Sequence, residues 1–406
     1  MDGADPKLDA DVVIVGAGII GSACACLLAQ AGLRVVVLES GMRQLNSLKN
    51  NDPRIFAISI ASRRILERAG AWRRLPDEEV GPYREMHVWD EQGLGEIRFD
   101  SAQVCEPTLG YIIPYRAIAD ALQERMLEMD NIRCLWSVTP SAIRTEPRNI
   151  SVTTGDGLQF RARLLIAADG SNSGVRKLAN INYLKHDYGQ SALACTVTTE
   201  LPHKQVARQR FLRRGPLAFL PMANAYQSAI VWSSSPEHVQ RLLAHDDTAF
   251  HFELAESFAN ELGSITSSGE RVVFPLSRAQ AEHYTRPRLA LIGDSAHTIH
   301  PLAGLGANLG LLDMATLVEV VLEAHARGRD FGRHPVLRRY ERWRKGENRN
   351  MLYLMDAFKL LFENRNPSLA WLRNAGLDIV DGLPMVKQAI MKRAMGLQGS
   401  LPTLLG

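Results

Sequence analysis

A chain of 406 residues, 46% hydrophobic and 22% charged, has the size and composition of a globular protein with a large core and room for more than one domain. Its net charge of +3 comes with no zinc-ligand spacing and no interleaving of aromatic and basic residues, so nucleic acid is excluded as an expected partner. The cysteines Cys24, Cys26, Cys105, Cys134 and Cys195 are odd in number, contain no CxxC pair and fall in segments that read as core, the pattern of buried thiols in a reducing compartment, and the expected location is cytoplasmic.

From the N-terminus, the first predicted elements are an apolar strand, Val12-Val13-Ile14-Val15, a turn, Gly16-Ala17-Gly18-Ile19-Ile20-Gly21, and a helix. Gly16 permits a tight turn, Gly18 admits a pyrophosphate to backbone N–H groups, and Gly21 lets the helix lie close on a sheet. A second apolar strand, Val35 to Leu38, ends in Glu39, an acid placed to accept hydrogen bonds from a ribose 2′-OH and to disfavour a 2′-phosphate. Residues Val12 to Leu33 carry no charge and reach the length of a membrane span, but three glycines within six positions, Ser22, Gln30 and the acids Asp9 and Asp11 favour strand, turn and helix. The acids Asp2, Asp5, Asp9 and Asp11 do not read as a signal peptide.

Next come Asn51 to Ser59, which include Arg54, and a helix from Ala61 to Arg68. Tyr111 to Ile113 reads as a strand and Tyr115 to Met129 as a helix with Ile118, Leu122, Met126 and Met129 on one face. Arg116 starts that helix, where the dipole does not favour a cation; contact with a phosphate or ribose and a solvent-facing arginine are both open. Leu164 to Ala168 is a buried strand delivering Asp169 and Gly170 to the carboxyl edge of a sheet, where open α/β sheets bind ligands, with Arg176 placed to reach a phosphate. An ordinary Asp-Gly turn is the plainer reading of that segment alone.

Between Ala192 and Trp232 the pattern changes to short strands, Ala192–Thr198, Arg208–Leu212, Leu217–Leu220 and Ser228–Trp232, punctuated by Gly215-Pro216 and Asn224-Ala225. Val272 to Leu276 is expected to close this second, mostly antiparallel sheet, which is inserted into the first domain. Leu289 to Ile292 is a third buried strand, ending in Gly293 and Asp294, an acceptor suited to ligand hydroxyls. The stretch from Gly304 through Gly306, Ala307 and Asn308 then opens a helix, Leu309 to Ala326, whose positive end suits negative charge on a ligand. His297 and His300 have i,i+3 spacing without a third ligand, so no metal is expected and hydrogen bonding or site lining is their role.

Beyond Leu309 the chain is predicted helical, with breaks near Gly328–Gly332, Asn366-Pro367 and Gly382–Pro384. A basic run of Arg327, Arg329, Arg333, Arg338, Arg339, Arg342, Arg344, Lys345 and Arg349 reads as a solvated helix face or as a surface for anionic lipid. Met385, Val386, Ala389, Ile390 and Ala394 form an apolar stripe beside Lys387, Lys392 and Arg393, suited to lipid or to a partner subunit.

With the three strand-and-turn segments together, the chain resembles the class A flavoprotein monooxygenases, the FAD-dependent aromatic hydroxylases of the para-hydroxybenzoate hydroxylase family, which combine a glycine fingerprint with a DG and a GD motif. Within that family it is most similar to the ubiquinone-biosynthesis hydroxylases, through Leu109 to Ile113, Tyr188 to Leu193, Gly215 to Pro221, Ile230 to Ser233 and His297 to Leu309. The resemblance covers nearly the whole chain and implies an α/β fold. A Rossmann-like FAD-binding domain (1–80, completed by 105–185 and 283–330) would interleave with an antiparallel-sheet substrate domain (81–104 and 186–282), followed by a C-terminal helical region (331–406).

It further implies FAD held non-covalently and lined by Gly16, Gly18, Gly21, Glu39, Arg54, Arg116, Asp169, Asp294, Gly306, Ala307 and Asn308, with NAD(P)H or a partner protein as reductant. The implied activity is hydroxylation of a polyprenylated phenol in ubiquinone biosynthesis, with O₂ as co-substrate and a flavin C4a-hydroperoxide as the oxygen donor. No catalytic acid or base is assigned, because the oxygen chemistry belongs to the cofactor. Implied partners are other proteins of a ubiquinone-synthesis complex and the inner face of the membrane. A reductase or oxidase of the same fold and a non-catalytic FAD-binding member of such a complex are the alternatives. Two positions depart from the family: Leu305 stands where these hydroxylases usually have Gln, and Ser295 where Ala is usual.

Overall fold

The structure, a computed structural model, describes residues 8–42, 54–91, 95–298, 305–363, 383–399 and 401–403. Its principal helices are α1 (Ile19–Gln30), α2 (Ile60–Arg68), α3 (Tyr115–Leu127), α4 (Gly174–Leu178), α5 (Pro236–Ala244), α6 (Asp247–Ser257), α7 (Leu305–Ala326), α8 (His334–Glu363) and α9 (Pro384–Ala394).

Val12–Val15 is buried at every residue and runs parallel to Val35–Leu38 on one side and to Leu164–Ala167 on the other. Continuous apolar character is what a central parallel strand needs, because helices cover both faces of such a sheet. Among the described residues this sheet has six strands, ordered Thr285–Arg286, Leu289–Leu291, Leu164–Ala167, Val12–Val15, Val35–Leu38 and Ile132–Leu135. Only the first is antiparallel to its neighbour. The small residues of α1, among them Gly21, Ser22, Ala23 and Ala25, are buried, and the helix packs on the sheet and against α3 and α7.

A second sheet joins two stretches that are far apart in the chain. Its order is His297–Thr298, Val272–Ala281, Tyr183–Thr199, Gln227–Ser234, Gly215–Pro221, Val206–Leu212, Glu85–Asp90 and Glu96–Asp100, with Ile265–Ser268 also paired to Tyr183–Thr199. The seam between the stretches is a parallel pairing, Val206↔Glu85, in an otherwise antiparallel sheet. Val272–Ala281 does not close the sheet as expected. It is an inner strand, because His297–Thr298 adds outside it at Gln280↔His297.

One face of this sheet presents Leu193, Leu217, Phe219, Ile230 and Trp232 to Val239, Leu242, Phe250 and Leu254 of α5 and α6. Side chains alternate along strands, so Ala192, Ala194, Ala218, Ala229, Val231 and Ser233 lie on the other face. The strand-and-turn reading of this region missed α5 and α6. Their signals were caps: Ser235 accepts from the His238 N–H ahead of Pro236, and Asp246 accepts from the Ala249 N–H.

Helix α7 begins at Leu305 rather than Leu309, which places Gly306, Ala307 and Asn308 in its first turn. The basic run is not one solvated face. Arg327 and Arg339 both pair with Glu323, at 2.6 and 2.7 Å, whereas Arg344 turns inward onto Asp313 at 2.8 Å. Arg288, 2% exposed, bridges three parts of the chain: its guanidinium donates to the Pro147 carbonyl at 2.6 Å, the Arg163 carbonyl at 3.0 Å and Asp330 at 2.5 Å. The break expected at Asn366-Pro367 lies outside the described residues. Helix α9 rests Met391 and Met395 on Ile60 and Leu109 and turns Met385 and Ile390 outward. Lys387 does not flank the stripe; it is buried with its ammonium 5.9 Å from the Phe99 ring centroid. The side chain of Val386 lies outside the described residues. No helix among the described residues is long and apolar enough to cross a membrane.

Candidate functional site

The glycine turn is built so that two of its glycines serve the fold and one faces open space. Gly16 has φ +105°, and a Cβ there would lie 2.3 Å from the Ala168 carbonyl oxygen; a Cβ on Gly21 would lie 1.9 Å from the oxygen of Gly16. Gly18 is different. It is the extended N-cap of α1 with no side-chain cap, and a Cβ there would meet only the Tyr115 hydroxyl, at 3.5 Å. The first-turn N–H groups of α1 are therefore left for an anion. Glu39 reaches the same turn, accepting the Ala17 N–H at 2.6 Å and the Gly41 N–H at 2.7 Å.

The second and third segments meet through side chains. Asp169 accepts the Val175 N–H at the start of α4 at 3.0 Å and the Ser295 hydroxyl at 3.0 Å. The departure at Ser295 is thus a cross-link between the two segments, where an alanine would leave Asp169 one donor short. Arg176 does not project toward a phosphate as expected. It is buried, donates to the carbonyls of Ser295 at 2.9 Å and Ser171 at 2.6 Å, and lies 3.6 Å from the centroid of the Tyr183 ring. A Cβ on Gly293 would meet Ile20 at 3.4 Å and Gly310 Cα at 3.8 Å, so the starts of α1 and α7 converge on the third strand's end.

Asp294 is crowded by protein yet exposed by surface area. The crowding raises its carboxyl above the ordinary value, opposed by His297 and Arg54. The carboxylate is nonetheless open to solvent. No donor to that carboxylate is seen among the described residues. Arg54, itself exposed, sits 3.8 Å from the centroid of the Tyr115 ring, whose hydroxyl overlies Gly18. Tyr115 is a residue that sequence reasoning missed; the sequence marked it only as the start of a helix.

The remaining residues divide. Gly306 and Ala307 lie half-buried in the first turn of α7, and a Cβ on Gly306 would touch nothing within 4 Å. Asn308 is buried and turned away from that open side. Its Oδ1 accepts the Ser59 N–H at 2.9 Å and its Nδ2 donates to the Ala57 carbonyl at 2.8 Å, pinning α7 to the strand Ile55–Ser59. Arg116 gives its guanidinium to Glu79 at 2.5 Å, a carboxylate partner that neither sequence reading considered. His297 pairs with Asp313, and His300 lies outside the described residues.

The uncapped start of α1, an exposed carboxylate, a second acid on the glycine turn and a cation over a tyrosine are groups of the kind that can hold a phosphorylated, hydroxyl-bearing cofactor. The profile of the family described as FAD binding domain matches residues 9–352. The chain belongs to this FAD-binding family. Its relatives are similar over nearly their full length. Ubiquinone hydroxylase UbiL of Rhodospirillum rubrum is 35% identical over 387 residues, 95% of this chain and 90% of the relative. The 3-demethoxyubiquinol 3-hydroxylase of Escherichia coli is 34% identical, over 95% of this chain and 98% of the relative. The human ubiquinone biosynthesis monooxygenase COQ6, mitochondrial, is 32% identical over 96% of this chain and 93% of its own. Among solved structures, p-nitrophenol 4-monooxygenase PnpA from Pseudomonas putida DLL-E4 superposes with a TM-score of 0.78 over 96% of this chain and 98% of its own; at 21% identity this shows the FAD-binding fold alone.

Proposed function

We propose that this FAD-binding enzyme is a monooxygenase that hydroxylates the aromatic ring of a polyprenylated phenol of the ubiquinone pathway. The observation that carries the reading is the near-full-length similarity, at 34–35% identity, to relatives named as ubiquinone and demethoxyubiquinol hydroxylases. The second sheet supports it from the side of the substrate. Part of its face away from α5 and α6, formed by Ala192, Ala194, Ala218, Ala229 and Val231, is small and apolar, suited to a substrate whose every buried methylene is worth about 0.8 kcal/mol.

Gly16, Gly18 and Gly21 would hold the pyrophosphate at α1, Glu39 the adenosine ribose, Asp294 the ribityl hydroxyls, and the first turn of α7, with Gly306 and Ala307, the electron-rich edge of the flavin. Arg54, Tyr115 and Arg116 would flank the cofactor. Asp169 and Asn308 would act through the backbone they position. Once reduced, FAD supplies the activation of O₂, and NAD(P)H is the proposed reductant. The chain's own contribution is to orient the ring and to exclude water. Incubation with NADH or NADPH, ¹⁸O₂ and a prenylated phenol should add one labelled oxygen atom, read by mass spectrometry. Nicotinamide oxidation without an oxygenated product would instead favour a reductase or oxidase, and neither would favour a non-catalytic member of a complex.

Asp294→Ala should weaken FAD binding by about 1.5–3 kcal/mol, the worth of hydrogen bonds to a charged acceptor, without lowering apoprotein stability, because that carboxylate supports no other described residue. Flavin fluorescence titration beside thermal melting checks both halves, and unchanged FAD affinity removes Asp294 from the site.

A cytoplasmic enzyme acting on a prenylated phenol must meet it at a membrane, and α9 is the proposed contact, with Met385 86% and Ile390 40% exposed beside the outward Arg393. Met385→Glu with Ile390→Glu leaves the packed face of α9 intact and should abolish sedimentation with anionic vesicles. Equal binding by parent and variant would leave α9 as a packing element.

A further inference from the structure

The least expected feature of the interior is a buried ionic cluster behind the site. Asp313, on α7, is fully buried, and its carboxylate receives three donors: His297 Nε2 on Oδ2, and Arg344 Nε at 2.8 Å and Asn348 Nδ2 at 3.0 Å on Oδ1. Arg344 Nη2 also donates to Asn348 Oδ1 at 3.1 Å, and both of these residues come from α8. His297 is 1% exposed and stacked on Tyr284, with ring centroids 6.0 Å apart. Burial works to raise the Asp313 carboxyl, yet His297 and Arg344 hold it below its ordinary value. It is therefore an ionised acceptor, and His297 Nε2 must carry the hydrogen.

A buried ion pair of this kind is seldom more stabilising than the apolar side chains that would replace it, so its value lies in fixed geometry. What it fixes is specific. His297 is three residues beyond Asp294, and Asp313 is eight residues beyond Leu305, about 12 Å along α7 at 1.5 Å per residue. We propose that the His297–Asp313 bond, braced by Arg344 and Asn348, is a positioning clasp that sets Asp294 against the first turn of α7 and so sets the grip and the surroundings of the flavin. The clasp rests on the proposal that FAD lies between those two features. None of its four residues is a catalytic residue, since each acts through backbone that it holds. It also makes α8, a helix that contributes no residue to the proposed site, part of the flavin's support.

The test is carried out on the full chain and needs no substrate. His297→Phe keeps a ring against Tyr284 and leaves Asp313 paired with Arg344, so the fold is retained while the tether is lost. The far-UV circular dichroism of the apoprotein should match the parent, the FAD dissociation constant should rise about tenfold, the worth of one hydrogen bond near 1.4 kcal/mol, and the bound flavin's absorption bands should shift. His297→Gln, whose amide nitrogen can still reach Asp313, should restore both affinity and spectrum. FAD affinity within about twofold of the parent in a folded His297→Phe, or a His297→Gln that restores neither quantity, overturns the clasp. If His297→Phe does not fold, Asn348→Leu removes a neutral donor from the same carboxylate and decides by the same spectrum and titration. A parent protein that binds no FAD would overturn the cofactor reading itself, an outcome distinct from the other two.

Discussion

Gly18→Val is expected to give a folded but colourless protein. The protein itself accommodates a side chain at this position, since a Cβ meets only the Tyr115 hydroxyl at an ordinary 3.5 Å. What it obstructs is the approach of a pyrophosphate to the uncapped start of α1. Losing two N–H bonds to a charged group, at about 1.5–3 kcal/mol each, lowers FAD affinity by at least about 100-fold. Gly21→Val is the contrasting variant. Its Cβ would fall 1.9 Å from the Gly16 oxygen, and the strand-turn-helix unit would not close at all. Absorbance near the flavin bands after desalting, beside circular dichroism, separates the two. A yellow Gly18→Val protein would remove the glycine turn from the cofactor site.

Arg288→Ala should be the most destabilising substitution outside the site, by about 3–5 kcal/mol for breaking a buried ionic cluster. Asp330, at 35% side-chain exposure, recovers part of its solvation, so the lower end of that range is expected. The remainder comes from the carbonyls of Pro147 and Arg163, which lose their donor in a place where Gly332 packs so closely that a Cβ there would lie 2.1 Å from the Arg163 oxygen. Chemical denaturation of the apoprotein reads the effect, and a change below about 1 kcal/mol would show that the bridge is dispensable.

The parts of the fold legible in the sequence were those that carry their signal locally. Val12–Val15, Leu164–Ala167 and Leu289–Leu291 announce themselves because a strand buried on both faces is apolar without interruption. The acids after them, Asp169 and Asp294, could be singled out for the same reason. What stayed hidden depends on partners distant in sequence. Arg176 looked like a free cation until the carbonyl of Ser295 and the ring of Tyr183 enclosed it, and Asn308 looked like a cofactor contact until Ala57 and Ser59 occupied its amide. Ser295 read as a departure from a family pattern, and only the third dimension supplies Asp169 as its reason. Helices α5 and α6 are short, and the strands on both sides of them dominated the periodicity.

The strand order has a consequence for the birth of the molecule. Leu164–Ala167 must wait for Leu289–Leu291 before its second edge is paired. At about 5–20 residues per second, the roughly 120 residues between them take on the order of 6–24 s to emerge from a ribosome. Throughout that interval an apolar, fully hydrogen-bond-competent strand edge stands open to any other nascent chain. Non-local pairing of this kind also slows refolding of the finished polypeptide. Yield on overexpression should therefore depend on translation speed and chaperone supply more steeply than the stability of the native state would suggest.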